Sequence, residues 1–508
     1  KIFHDPNWTR VGIVTAGGLC PGLNNVIKGL VEILSFDYGV KNIFGIRFGY
    51  AGLNPDFGYQ PVMLNPDTVD TIHELGGTIL GSSRGQQPTD IIVDTLVRMN
   101  INILFCVGGD GSLRCAREVA EECMKRNLKI SVIGIPKTID NNLQFVGRSF
   151  GFETAVAEAA NVIRNAHVEA KGTSGGIGLV KLMGRDSGFI AAYASTANPV
   201  VNFCLVPEMA FELEGPRGLL TALENRFKAG KTHAVIVVAE GAGQDLILGE
   251  PERRDASGNI LKKDIGEFLK QKISAHFKEK GVVSSVKYFD PSYTIRSVPA
   301  RGTDAIRCYM LARNAVHAAM AGRTNCVVGN LGESYALVPI KLATIERQKI
   351  SLKSDLWRSV MDATGQELEV SATAMNKFVV QMQTHYKTVA QAAGVNADML
   401  HEMLTMGETA DAVVMVLEAL NQKGGLSMLA PLMKDLGSDG ARLTASLSTM
   451  ASNVELVKQQ LDIARKSFEE GISVTNEYNV KNENAAAIME RMRNSWEKMF
   501  VNSANTGV

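Results

Sequence analysis

Short apolar runs that alternate with helical patterns constrain this chain more than any other feature. Up to about residue 366 they fall at 11–15, 101–107, 130–135, 176–182 and 233–239. Runs without polar interruption suit strands covered on both faces. Their alternation with helices predicts βαβ units, a largely parallel sheet and ligand sites at the carboxyl ends of its strands. The 508 residues exceed what one hydrophobic core holds, so about two to four domains are expected. From about residue 368 the strand-like runs stop and long helical periods take over. There Leu443, Leu447, Met450, Val454, Val457, Leu461, Ala464 and Phe468 recur at alternating spacings of four and three. This heptad seam at 443–468 suits either intermolecular coiling or one amphipathic helix packed on its own domain.

Lysine plus arginine, 53, balance aspartate plus glutamate, 53, so no bulk field recruits nucleic acid or acidic lipid. Any phosphate site must therefore be local. The seven cysteines, Cys20, Cys106, Cys115, Cys123, Cys204, Cys308 and Cys326, are odd in number and lack CxxC spacing. They predict reduced thiols in a cytosol-like compartment and argue against a disulfide or zinc framework. The chain has no apolar run of about eighteen residues, and Lys1-Ile2-Phe3-His4 does not read as a signal peptide. A soluble, cytoplasmic protein is expected. The start at lysine also suits a processed product or fragment, and the final Thr506-Gly507-Val508 is not a peroxisomal address.

Four segments can handle phosphate. The run 101–107 ends in Gly108, Gly109, Asp110, Gly111 and Ser112, where a turn of small residues lets backbone N–H groups converge on an anion and Asp110 can hold a divalent metal. An ordinary glycine turn with a capping aspartate reads the same way. The run 11–15 leads through Gly17, Gly18 and Gly22 into a helical stretch, which places amide donors and a positive helix end at one spot. Arg84, between Ser83 and Gly85, is a cation among small residues that can meet a transferring phosphoryl group, or a solvated loop arginine. Lys137, Thr138, Ile139, Asp140, Asn141 and Asn142 bring an ammonium, a hydroxyl and a carboxylate to one mouth; Asp140 can take a proton from an attacking hydroxyl, or merely cap a proline turn.

Seven strings in order, GGLCPGLNNVI at 17–27, GGTILGSSRG at 76–85, GGDGS at 108–112, PKTIDNN at 136–142, GIGLVKLMGRDSGFIA at 176–191, VAEGAGQ at 238–244 and DPSYTIR at 290–296, resemble 6-phosphofructokinase over about residues 8–366. Their wording is closest to the plant and trypanosomatid branch. The resemblance implies an α/β fold of two Rossmann-like lobes with mainly parallel sheets. Residues 1–145, completed by about 305–345, would bind ATP; 146–304 would bind fructose 6-phosphate; 346–367 would be a terminal extension. It further implies ATP contacts at Gly18, Arg84, Gly85, Gly109, Asp110, Gly111 and Ser112, with Asp110 on Mg²⁺. Asp140 matches the catalytic base, and Arg84 and Arg185 the charge-stabilising cations. Thr138, Ile139, Asp140, Met183, Gly184, Arg185, Glu240, Tyr293 and Arg296 match substrate contacts. A homo-oligomer, tetramer or dimer, is implied too.

The donor is argued from Gly111 and Lys137. Pyrophosphate-using relatives usually carry a second aspartate where Gly111 stands, and its carboxylate would crowd and repel the nucleotide's α-phosphate. Lys137 is also typical of pyrophosphate enzymes, so the pair points to ATP in the plant and trypanosomatid manner, with pyrophosphate as the rival. Three departures stand out: Asn142 replaces the usual aspartate, Gly176 replaces an arginine that short bacterial enzymes lend across subunits, and Arg301 and Arg307 are unassigned. The GGDGS string also resembles diacylglycerol and NAD kinases, which do not explain PKTID or MGRDSG. Residues 368–508 resemble part of a phage tail tape-measure protein, so a non-catalytic chimeric or scaffold protein is the alternative from another class. His401 and Glu402 lack a second histidine at helical spacing and predict no metal site.

Overall fold

The expected apolar runs are strands of two sheets. In chain order the strands are β1 (Arg10–Thr15), β2 (Asn42–Ile46), β3 (Val62–Leu64), β4 (Ile103–Gly108), β5 (Ser131–Pro136), β6 (Gly176–Leu182), β7 (Phe203–Leu205), β8 (His233–Ala239), β9 (Ser285–Phe289), β10 (Cys326–Leu331) and β11 (Ser334–Pro339). In this computed structural model the described residues are 2–215, 218–247, 261–332, 334–364, 382–406 and 408–422. The first sheet runs β11-β10-β5-β4-β1-β2-β3 and the second β7-β8-β6-β9. Pairing is parallel throughout except at the two edges of the first sheet, β11 on β10 and β3 on β2. Residues 326–339 thus return to finish a sheet begun three hundred residues earlier in the chain.

Burial explains why the central strands read as unbroken apolar runs. One cluster extends from Val11, Ile13, Phe105 and Ile133 of the first sheet, through helices Leu23–Phe36, Phe152–Lys171 and Gly302–Met320, to Val180, Leu182, Val235 and Val237 of the second. A second cluster covers the other face of the first sheet with Leu96, Leu113 and Val119, and another backs the second sheet with Leu223, Leu269 and Ile273. Both sheets therefore have helices on both faces. Helix Gly302–Met320 comes so near helix Leu23–Phe36 that a Cβ on Gly29 would stand 3.0 Å from the Cβ of Ala312. All seven cysteines are buried free thiols.

The chain divides into two compact units, Lys1–Gln366 and Glu367–Val508. The described part of the second unit is helical: Tyr386–Ala393, Ala397–Thr405 and Thr409–Gln422 pack around Val389, Leu400, Val416 and Leu417. His401 stacks its ring on Tyr386 at 4.3 Å between centroids. The heptad seam at 443–468 lies outside the described residues. Among the described residues no helix is long and apolar enough to cross a membrane, and no three His, Cys, Asp or Glu side chains gather as a metal site.

Candidate active site

The loops that follow β1, β4 and β5 meet at the carboxyl edge of the first sheet, where an open α/β sheet offers a crevice. The Gly17 N–H donates to the Ser83 carbonyl at 3.1 Å and the Ser82 hydroxyl to the Gly17 carbonyl at 2.6 Å, which tie the loop of Arg84 and Gly85 to the loop after β1. A Cβ on Gly18 would sit 3.1 Å from an Arg296 Nη and 3.5 Å from an Arg84 Nη, so glycine leaves room for two guanidinium groups. The Lys137 ammonium donates to the Gly18 carbonyl at 2.5 Å, and its N–H donates to the Gly108 carbonyl at 3.0 Å. Gly109 passes over the Lys137 carbonyl, which a Cβ would approach to 3.1 Å. Ser112 stands opposite Gly17, its hydroxyl 3.5 Å from where a Cβ there would be.

Asp110 is the first residue of helix Asp110–Lys125 and pairs with Arg114 one turn on. Beside it, a Cβ on Gly111 would meet nothing within 4 Å, so the space that a second carboxylate would fill is open. One carboxylate at a helix start, next to open space and amide donors, fits Mg²⁺ held mainly by nucleotide phosphates and water.

The loop after β5 is held by its own side chains. The Asp140 N–H donates to the Thr138 hydroxyl at 3.1 Å, the Thr138 hydroxyl donates to the Asn142 side-chain oxygen at 3.3 Å, and the Ser149 hydroxyl donates to the Thr138 carbonyl at 2.5 Å. Asn141 takes φ 50°, a conformation that asparagine tolerates, and its side-chain oxygen accepts the Ser149 N–H at 3.0 Å. Ile139 is buried in the central core. Asn142 is itself 8% exposed and serves this loop, its carbonyl accepting the Gln348 N–H at 2.8 Å. Burial raises the Asp140 carboxyl to about 6, with repulsion from Glu240 adding and Arg347 and Arg185 opposing. Burial likewise lowers the Lys137 ammonium to about 8, and Arg296 and Arg84 add to the effect.

The second sheet supplies the facing wall. Met183, partly buried, packs against the edge of the central core. Gly241 donates its N–H to the Gly184 carbonyl at 3.0 Å, and a Cβ there would stand 1.9 Å from the Arg185 carbonyl, so only glycine allows the turns after β6 and β8 to touch. That approach brings Arg185 to Glu240, whose carboxyl burial pushes up while Arg185 draws it down. Arg296 lies over the Tyr293 ring at 4.9 Å, and burial lowers its guanidinium pKa, with Arg84 adding repulsion. Tyr293 is 73% exposed and belongs to the rim. Arg301 pairs with Glu158 at 2.6 Å, and Arg307 with Glu153 and Asp304 at 3.3 and 3.2 Å.

Sequence reasoning missed Arg347, Asp186 and Lys262. Arg347 donates from Nε to Asp110 at 3.3 Å and forms an ion pair with Asp186, which Lys262 also approaches at 3.5 Å. Arg347 thereby links the loop after β4 to the loop after β6 and also acts on Asp140. Asp186 sat inside the quoted MGRDSG string and was open to the same reasoning as Arg185. Arg347 stands in TIERQK, which carries no motif, and nothing in its neighbourhood signals a site.

The phosphofructokinase family matches residues 10–319. The chain is 50% identical over 375 residues to an ATP-dependent 6-phosphofructokinase of Borreliella burgdorferi, covering 73% of this chain and 84% of that protein. It is 48% identical over 367 residues to the ATP-dependent 6-phosphofructokinase of Trypanosoma cruzi, covering 72% and 75%. The enzyme of that name from Trypanosoma brucei brucei is 45% identical over 407 residues, which cover 80% of this chain and 81% of that protein. That stretch is longer than the first unit and reaches into the second. Among solved structures, a pyrophosphate-dependent phosphofructokinase from Marinobacter aquaeolei aligns with TM-score 0.58 and 19% identity over 70% of this chain and 91% of its own, a likeness of fold. On the matched sequence, the two-sheet architecture and the shared cleft, the chain belongs to the phosphofructokinase family.

Proposed function

We propose that this chain is an ATP-dependent 6-phosphofructokinase, which transfers the γ-phosphoryl group of ATP to the 1-hydroxyl of fructose 6-phosphate to give fructose 1,6-bisphosphate and ADP. The observation that carries this reading is a half-buried carboxylate, Asp140, raised toward neutrality beside Lys137 and across from Arg185, in the same cleft as Asp110 and the open space at Gly111. The 1-hydroxyl oxygen attacks phosphorus in line as its proton passes to the Asp140 carboxylate; the new O–P bond forms while the bond to the β-phosphate oxygen breaks, and ADP leaves with those electrons. A carboxylate with a pKa near 6 suits this task, since it is ionised at neutral pH yet basic enough to accept the proton.

Gly18, Gly85, Gly109, Gly111 and Ser112 would seat the nucleotide, with Arg84 and Lys137 meeting its phosphate charge. Asp110 would hold Mg²⁺, which supplies charge neutralisation to the nucleotide's phosphates when bound. Thr138, Ile139, Met183, Gly184, Arg185, Glu240 and Arg296 would hold the sugar phosphate, with Tyr293 at the rim. A cytoplasmic homo-oligomer, dimer or tetramer, is the assembly this reading carries. For residues 368–508 the reading is a segment that resembles part of a phage tail tape-measure protein, joined to the kinase core.

Lys137 is the one residue that favours pyrophosphate as donor. A coupled assay on the full chain, run with ATP and separately with pyrophosphate, is expected to show turnover with ATP and little with pyrophosphate. The reverse preference would reassign the donor, and inactivity with both would favour a non-catalytic scaffold.

A further inference from the structure

Arg347 lies outside every string that pointed to catalysis, yet it occupies the junction of the cleft. Its guanidinium stands between Asp110, on the nucleotide side, and Asp186, in the wall that carries Arg185, and it draws down the Asp140 carboxyl. Its backbone is fixed in the same place. Arg347 forms an antiparallel bridge with Leu143, the Gln348 N–H donates to the Asn142 carbonyl at 2.8 Å, and the Ile350 N–H donates to Glu208 at 2.9 Å. Glu208 in turn accepts the Gly188 N–H at 3.0 Å, two residues after Asp186. Residues 347–350 therefore form a strap across both the base-bearing loop and the loop after β6.

A cation between Asp110 and Asp186 borders both proposed sides of the cleft, and the charge of a transferring phosphoryl group spreads over its equatorial oxygens. We propose that Arg347 is a further catalytic residue: its guanidinium pairs with Asp110 and Asp186 in the free protein and, once the metal nucleotide engages Asp110, turns its Nε–H to the transferring phosphoryl group while Asp186 keeps hold of its Nη. The pairing with Asp110 keeps the cation in the cleft before substrate arrives. The phosphoryl contact then stabilises the state in which the bond from the sugar oxygen is forming and the bond to the β-phosphate is breaking. This inference rests on the kinase reading above.

The test uses the full chain and the variants Arg347→Met and Arg347→Lys. Three quantities are measured: turnover with ATP and fructose 6-phosphate, calorimetric affinity for Mg-ADP, and affinity for Mg-ADP with fructose 6-phosphate and aluminium fluoride, a planar mimic of the phosphoryl group. Arg347→Met is expected to lower kcat roughly 100-fold or more and to weaken the aluminium fluoride complex by a similar factor, leaving Mg-ADP affinity within about threefold. Arg347→Lys, a point charge without the planar fork, should recover about tenfold of that loss. Unchanged turnover in Arg347→Met would overturn the proposal. So would a loss of Mg-ADP affinity as large as the loss of kcat in both variants, because the strap would then serve folding alone. A wild-type protein inert with both phosphoryl donors would remove the kinase reading itself, a result distinct from an active wild type and an equally active Arg347→Met.

Discussion

Asp140 and Lys137 are three residues apart, and burial moves their proton affinities toward each other, up to about 6 for the acid and down to about 8 for the ammonium. In the proposed roles the base works ionised, so activity is lost as pH falls through the raised value, and the lysine works charged, so activity is lost as pH rises through the lowered one. The kcat/KM profile of the free enzyme is therefore expected to be a bell with limbs near pH 6 and pH 8, and a flat profile from pH 5 to 9 would count against both roles. Asp140→Ser removes the proton acceptor and leaves the cationic contacts; kcat should fall by about a thousandfold or more with KM for either substrate changed less than about fivefold. Steady-state kinetics on the purified variant check this, and near-normal turnover would take the base away from Asp140.

At the scale of elements, the site depends on how closely turns approach one another. The turn after β8 touches the turn after β6 at Gly241, where a Cβ would fall 1.9 Å from the Arg185 carbonyl. Gly241→Ala must push the two turns apart and displace Arg185 from Glu240, so KM for fructose 6-phosphate should rise by roughly tenfold or more while KM for ATP, whose proposed site lies at the other sheet, stays within about twofold. Equal effects on both substrates would mean that the turns move as one body. Strands β1, β4, β5, β6 and β8 were readable in advance because both their faces are covered and their sequences are accordingly apolar without a break. Strands β7 and β9 were not: one has three residues, and the other, Ser-Val-Lys-Tyr-Phe, is only partly buried and carries Lys287 toward solvent. Both edge strands of the first sheet, β3 and β11, also expose part of their length and so lack the apolar signature.

Across the whole molecule, every residue of the proposed site lies between Gly17 and Arg347, inside the unit that ends at Gln366. Residues 1–366 expressed alone should keep turnover within about fivefold of the full chain, since a unit with its own core folds independently. Loss of activity in that piece would assign the second unit a part in assembly or catalysis, a result that the long likeness to the Trypanosoma brucei brucei enzyme makes worth looking for. What the sequence by itself determined is the local build of each loop: a strand, a glycine turn and a helix start are neighbours in the chain, so GGDGS and PKTIDNN display the residue types of a phosphate-handling loop locally. Only the tertiary structure decided that Arg347 reaches Asp110 and Asp186, that Asn142 serves its own loop, and that burial pushes the Asp140 carboxyl up to about 6. Coulomb attraction and desolvation depend on distance through space and on the removal of water, and neither is recorded in the order of residues along a chain.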